Sequence, residues 1–198
     1  MASNANMSAH STAVFNAFYD LCSRVFSDWH MHKVVFNNSR KPELEKSIAG
    51  HALEHFSILS QESLLLQIAK LHDPAVQQGR VTLGVEYMVR FGGWDKATEE
   101  KLQNLKKGLD ELAAKIRPAR HKMLSHNDLE TILSGATLGE FPDGEDDKYF
   151  KTLQEFADII STAVIGEKRP FSENATRVSK GFLWFFREEA CKNQPTII

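Results

Sequence analysis

Arg120 and His126, with five residues between them in the segment RHKMLSH, are residue types that suit metal-free cleavage of RNA. A histidine with an ordinary pKa of about 6.5 can accept the proton of a ribose 2′-hydroxyl near neutral pH. An arginine is always charged, so it can hold the phosphate and stabilise the charge of the transition state. The pair therefore predicts phosphodiester chemistry that needs neither a metal nor a cofactor.

Further cationic and titratable side chains concentrate around this pair. The whole chain has a formal net charge of only −2 and an isoelectric point of about 6.4, so we expect RNA contacts to be local and salt-sensitive. The residues that we predict to contact RNA phosphates are Lys115, Arg117, His121 and Lys122. The alternative interpretation is a solvated basic helix face that ends in a surface histidine.

The elements that must position this segment are predicted to be helices. With 198 residues and 42% hydrophobic content, the chain can form one compact domain with a substantial core. Helical periodicity dominates and no sustained strand alternation occurs, which predicts an all-α domain of about five to seven helices. We expect a flexible segment over residues 1–10, the helical domain over 11–192 and a tail over 193–198. No apolar run approaches about 18 residues and no signal peptide is recognisable, so we expect a cytoplasmic protein with no membrane contact.

The apolar pattern also predicts element bounds and buried faces. Predicted helices cover residues 11–36, 42–73, 82–90, 96–116, 148–165 and 173–192, with a loop around residues 77–80. In the first helix the core candidates are Phe15, Phe18, Val25, Phe26 and Trp29. In the second helix the predicted apolar stripe is Leu44, Ile48, Ala52, His55, Leu59 and Leu66. Residues 182–186 are apolar all round, which favours burial in the core over a subunit interface.

Pro118 is predicted to end or restart the helix ahead of the arginine. Arg120 would then lie in the first turn of a new helical stretch, where backbone amides favour phosphate. On one straight helix, residues six positions apart differ by roughly 120° in direction, so Arg120 and His126 of one chain would converge poorly on a single phosphate. A two-fold dimer with motif facing motif solves this, and we therefore predict a homodimer.

Two segments resemble a known family. The stretch from Ile116 to Asp128 is similar to the signature helix of the HEPN superfamily, an arginine followed by four to six residues and a histidine. The segment LLLQIAKLHDP, residues 64–74, followed by RHKMLSHND, is similar to the abortive-infection branch called AbiU-like. The resemblance spans most of residues 12–191.

The resemblance implies a small HEPN-like helical bundle, often a dimer, and a ribonuclease used as a toxin or in phage defence. It also implies an antitoxin as a partner. Other superfamily members bind without turnover, so a nucleotide-binding, RNA-binding or scaffold protein is the second interpretation. In active members the position after the arginine is commonly asparagine, whereas this chain has His121, which can also donate a hydrogen bond.

A third interpretation is a zinc hydrolase. His51, Glu54 and His55 match an inverted zinc-protease pattern, with two histidines four apart on a helix and a glutamate to activate water. Because a three-position match arises easily by chance in a chain with eight histidines, we expect no metal there. We expect instead that His51 supports packing, so that its loss would lower stability.

Overall fold

The computed structural model describes residues 11–36, 50–119 and 144–192, and these residues are mainly helical. The six helices of the described residues are α1 (Thr12–Val35), α2 (Gly50–Leu71), α3 (Val85–Arg90), α4 (Lys96–Ala119), α5 (Glu145–Ile165) and α6 (Ser172–Lys192). The predicted all-α class is confirmed. Within the described part of the chain, no helix is long and apolar enough to cross a bilayer.

A two-stranded hairpin follows α2. Strands β1 (Val76–Gln77) and β2 (Arg80–Val81) pair antiparallel, with Val76 opposite Val81. Gln78 and Gly79 both have positive φ, at 50° and 76°, a combination that suits a tight two-residue hairpin turn. The predicted loop over residues 77–80 is therefore corrected to a short hairpin, which is too brief to produce a period-two signal.

The first compact unit consists of Met1–Cys22 and Leu65–Pro170. Its long helices α4 and α5 pack against each other, and α3 contacts α4. The aromatic ring of Phe18 in α1 lies edge-on to that of Phe156 in α5, with the centroids 5.9 Å apart. The largest fully buried side chains of this unit include Phe15, Phe18, Ile68, Met88, Leu102, Leu109, Tyr149, Phe150 and Phe156.

The second compact unit consists of Ser23–Leu64 and Phe171–Ile198. Its described part contains the second half of α1, the first part of α2 and α6. Phe171 is fully buried, and its ring lies 5.6 Å from that of Phe26. Trp184 is 65% exposed, so the predicted burial of residues 182–186 in the core is wrong at this position.

Several predicted buried faces need correction. In α1, Phe15, Phe18 and Val25 are buried as predicted, whereas Phe26 and Trp29 are only half-buried. In α2 the predicted stripe is wrong, because Ala52, His55 and Leu59 are exposed. The buried side chains of α2 are instead Leu53, Leu64, Leu65, Ile68, Ala69 and Leu71. Apolar residues surround this helix on several sides, so periodicity alone does not select the face that packs.

Candidate functional site

The predicted site residues lie at the end of α4 and beyond it. Lys115 is the one member of the predicted set whose side chain belongs to the described residues. The backbone of Arg117 lies in α4, while its side chain is outside the described part. Arg120, His121, Lys122 and His126 also lie outside the described residues. The structure therefore describes the helix that leads into the motif and the helix that follows it, α5.

Helix α4 is fixed firmly at its first turn. One carboxylate oxygen of Asp95 accepts hydrogen bonds from the backbone N–H groups of Ala97 and Thr98, at 3.0 Å each. The hydroxyl of Thr98 donates to the other oxygen at 2.6 Å. These bonds, those from Thr98 first, lower the pKa of Asp95 below its usual value. This N-cap supplies acceptors for amides that otherwise lack a partner at a helix start.

The other end of α4 differs from the prediction. The helix was expected to end at Ile116 and to restart at Pro118, but it continues through Pro118 to Ala119. A proline this close to a helix end removes only one backbone donor from the last turn, so the helix tolerates it. Ile116 is buried, and this apolar anchor extends the packed part of α4 close to the motif. Whether Arg120 begins a new stretch concerns residues outside the described part.

Lys115 forms an ion pair with α5. Its Nζ lies 2.5 Å from both carboxylate oxygens of Glu145, the first residue of α5. The Lys115 side chain is 44% exposed and that of Glu145 is 27% exposed. The pair therefore joins the two helices that flank residues 120–143 at a place that solvent can reach.

The first turn of α5 is strongly acidic. Gly144 precedes it with a φ of 78°, a left-handed conformation that glycine adopts without strain. Glu145, Asp146 and Asp147 then occupy the first turn, where carboxylates interact favourably with the positive end of the helix dipole. The sequence predicted this acidic turn, although it placed the helix start three residues later.

A buried polar network lies further back along α4, and the sequence gave no sign of it. His72 follows α2 directly, and its Nδ1 lies 2.8 Å from a carboxylate oxygen of Asp110 in α4. Its Nε2 lies 2.9 Å from the hydroxyl of Tyr149 in α5. The neutral tautomer with its proton on Nδ1 satisfies this arrangement, since Nδ1 then donates to Asp110 and Nε2 accepts from Tyr149.

The two ends of this network have different environments. Tyr149 is fully buried, and burial, followed by the nearby Cys22 and Asp110, raises the pKa of its hydroxyl well above its ordinary value. Burial also acts to raise the pKa of Asp110, but hydrogen bonds and charges from His72 and Lys106 outweigh it. The net pKa of Asp110 is therefore lowered, and the carboxylate stays ionised at neutral pH.

The solvent side of the network opens onto a recess on α4. Lys106 donates to the second carboxylate oxygen of Asp110 one helical turn away. The recess has a volume of about 410 Å³ and is lined by Gln103, Lys106, Lys107, Asp110, Glu111 and Ala114. His72 is 2% exposed and Asp110 is 35% exposed. The imidazole is therefore shielded from this recess, and the network connects helices rather than presenting a base to a substrate.

The histidines of the zinc interpretation are arranged differently from the expectation. His51, Glu54 and His55 all lie in α2 and all are exposed. The expected packing role of His51 is thus wrong. Among the residues that the structure describes, no group of three or more histidine, cysteine, aspartate or glutamate side chains is close enough to hold a metal ion.

Comparison with known families identifies the chain. The family model described as AbiU2, a HEPN family, matches residues 8–181. The chain belongs to the AbiU2 family of HEPN proteins. No curated protein and no solved structure matches it. The AbiU2 match includes both the segment that ends at His72 and the arginine–histidine run, and it confirms the family predicted from those segments.

Proposed function

We propose that this AbiU2 protein is a metal-independent endoribonuclease of the toxin or phage-defence type. Arg120 and His126 are the proposed catalytic residues, and they act together across the interface of a homodimer. The observation that carries the proposal is the family match over residues 8–181, which includes the run from Arg120 to His126. HEPN proteins often act as ribonucleases or in abortive infection, and this motif is the superfamily's signature.

The proposed chemistry is transesterification within the RNA. His126 accepts the proton of a ribose 2′-hydroxyl, and the 2′-oxygen forms a bond to the adjacent phosphorus. The bond from phosphorus to the 5′-oxygen breaks, and this oxygen takes a proton from solvent or from an acidic group. Arg120 stabilises the charge that builds up on the phosphate oxygens. The products are a 2′,3′-cyclic phosphate end and a 5′-hydroxyl end.

The described residues support this proposal through the helix that precedes the motif. Helix α4 is capped by Asp95 and buries Ile116 near its other end, so it provides a fixed support for the chain that follows. A site held by a rigid element loses less entropy when substrate binds than one on a loose chain. Lys115, Arg117 and Lys122 are proposed to contact flanking phosphates, as is His121.

The experiment that tests the proposed function uses purified protein and a mixed-sequence RNA, with and without a chelator. The proposal predicts fragments with cyclic phosphate ends and equal cleavage in both conditions. The matching DNA resists cleavage because the attacking 2′-hydroxyl is absent. If the protein binds RNA without cutting it, the non-catalytic binding function replaces the ribonuclease. If cleavage requires a metal, the proposed mechanism fails.

A further inference from the structure

The ion pair between Lys115 and Glu145 connects two charged regions of opposite sign. Lys115 belongs to the basic residues at the end of α4, and Glu145 belongs to the acidic first turn of α5. The two residues are 30 positions apart in the chain, yet one ammonium contacts both carboxylate oxygens at 2.5 Å. An intramolecular carboxylate thus occupies a cation that we assign to RNA binding.

We propose that Glu145 competes with single-stranded RNA for Lys115 and so limits the affinity of the protein for RNA. The proposal rests on the proposed function, because it concerns the same RNA-binding surface. In free protein the Lys115 ammonium pairs with Glu145. In the RNA complex the ammonium exchanges this partner for a phosphate, and Glu145 returns to water.

The energetics permit this exchange. An ion pair between partly exposed side chains is weak, since water and salt screen its charges and both side chains lose freedom. A phosphate contact has an additional driving force, because each neutralised phosphate releases condensed counterions. A lysine side chain is also flexible and carries three rotatable donors, so it can change partners without moving the backbone. RNA therefore displaces Glu145 at a small, measurable cost in affinity.

A purely structural role for the pair makes a different prediction. A carboxylate at the start of α5 also interacts with the helix dipole, and a bridge between α4 and α5 holds two packed helices together. If these were the pair's only effects, replacing Glu145 would change stability and leave RNA affinity unaltered. The salt dependence of RNA binding separates the two roles, because it counts the phosphates that the protein neutralises.

The test compares RNA binding by wild-type protein, Glu145→Gln and Glu155→Gln. The probe is a labelled single-stranded RNA with 2′-O-methyl groups throughout, so that it binds but cannot be cut. Glu155 is an exposed residue of the same helix, about 15 Å further along it. The two substitutions change net charge equally, and the control isolates the effect of position.

We expect Glu145→Gln to bind the RNA about two- to fivefold more tightly than wild type at low salt, the range that corresponds to a surface ion pair. The slope of log affinity against log salt should become steeper by about 0.7, the value for one more phosphate contact on a single strand. Adding Lys115→Gln to Glu145→Gln should abolish both changes. Glu155→Gln should bind with the slope of wild type.

Equal affinity and equal slope for Glu145→Gln and wild type would overturn the inference, as would equal gains in Glu145→Gln and Glu155→Gln. A gain that persists in the double variant would also overturn it, since Lys115 would then not be the released cation. Cleavage of unmodified RNA is measured in parallel. Cutting without the affinity change rejects the inference alone, whereas the affinity change without cutting rejects the proposed catalysis alone.

Discussion

The imidazole of His72, at the end of α2, contacts the carboxylate of Asp110 in α4 at 2.8 Å and is 2% exposed. Its other nitrogen contacts Tyr149 in α5 at 2.9 Å. One side chain thus links three helices of the first compact unit. Two of these helices, α4 and α5, flank the segment that carries the proposed catalytic residues.

The first prediction concerns the stability that this network provides. His72→Ala removes a buried ring and leaves the Tyr149 hydroxyl without this partner, so we expect the free energy of unfolding to fall by about 2–4 kcal/mol. His55→Ala is the matched control, because it is the same substitution at an exposed position of α2 and should change stability by less than about 0.5 kcal/mol. Urea denaturation measures both. Equal losses would show that the network does not stabilise the fold.

The second prediction concerns acid. The pKa of Asp110 in the folded protein is lowered from its ordinary 3.8, so its contribution to stability is present above that value and is lost as the pH falls through the folded pKa. Asp110→Asn should therefore be less stable than wild type at neutral pH, and the difference should shrink below about pH 4. Denaturation across pH 7 to 3 measures it. A difference that stays constant over that range would contradict the prediction.

The fold class follows from the sequence because helix periodicity, caps and breakers are local. Five of the six described helices begin or end within three residues of the pattern-derived bounds at each end that the structure describes, with Pro118 needing no break. The buried face of α2 could not be predicted, because Leu53, Phe56 and Leu59 place apolar surface on several sides of the helix. Which side packs depends on tertiary contacts.

The site is predictable only where its signal is local. The run from Arg120 to His126 is a contiguous motif, so it can be found in the sequence, and the family match includes it. His72 is also in a quoted segment, but its partners are 38 and 77 residues away. No spacing rule connects such residues, and the network becomes visible only when α2, α4 and α5 pack together.

The third prediction concerns the dimer. If each site combines Arg120 of one subunit with His126 of its partner, Arg120→Ala and His126→Ala proteins are each inactive, while a heterodimer of the two retains one intact site. After subunit exchange, an equal mixture should recover roughly a quarter of wild-type cleavage, because half of the dimers then carry one working site of two. RNA cleavage before and after exchange measures it. An inactive mixture with proven exchange would place both residues of each site on one chain.

The fourth prediction concerns His121, which stands where active relatives commonly have asparagine. Asparagine keeps a hydrogen-bond donor without a titratable ring. We expect His121→Asn to cleave RNA at least as fast as wild type, whereas His121→Ala should be slower. Initial rates at saturating RNA measure both. A His121→Asn protein as slow as His121→Ala would assign the imidazole a role of its own.

The central claim is that Arg120 and His126 cut RNA without a metal, and one cleavage measurement tests it most directly. Wild type, Arg120→Ala, His126→Ala and the control His51→Ala, an exposed histidine of α2, are incubated with RNA in chelator. We predict rapid cleavage by wild type and His51→Ala, and rates lower by about 10² to 10⁴ in the two motif variants, whose folds remain intact by circular dichroism. Cleavage by folded His126→Ala at the wild-type rate would contradict the claim.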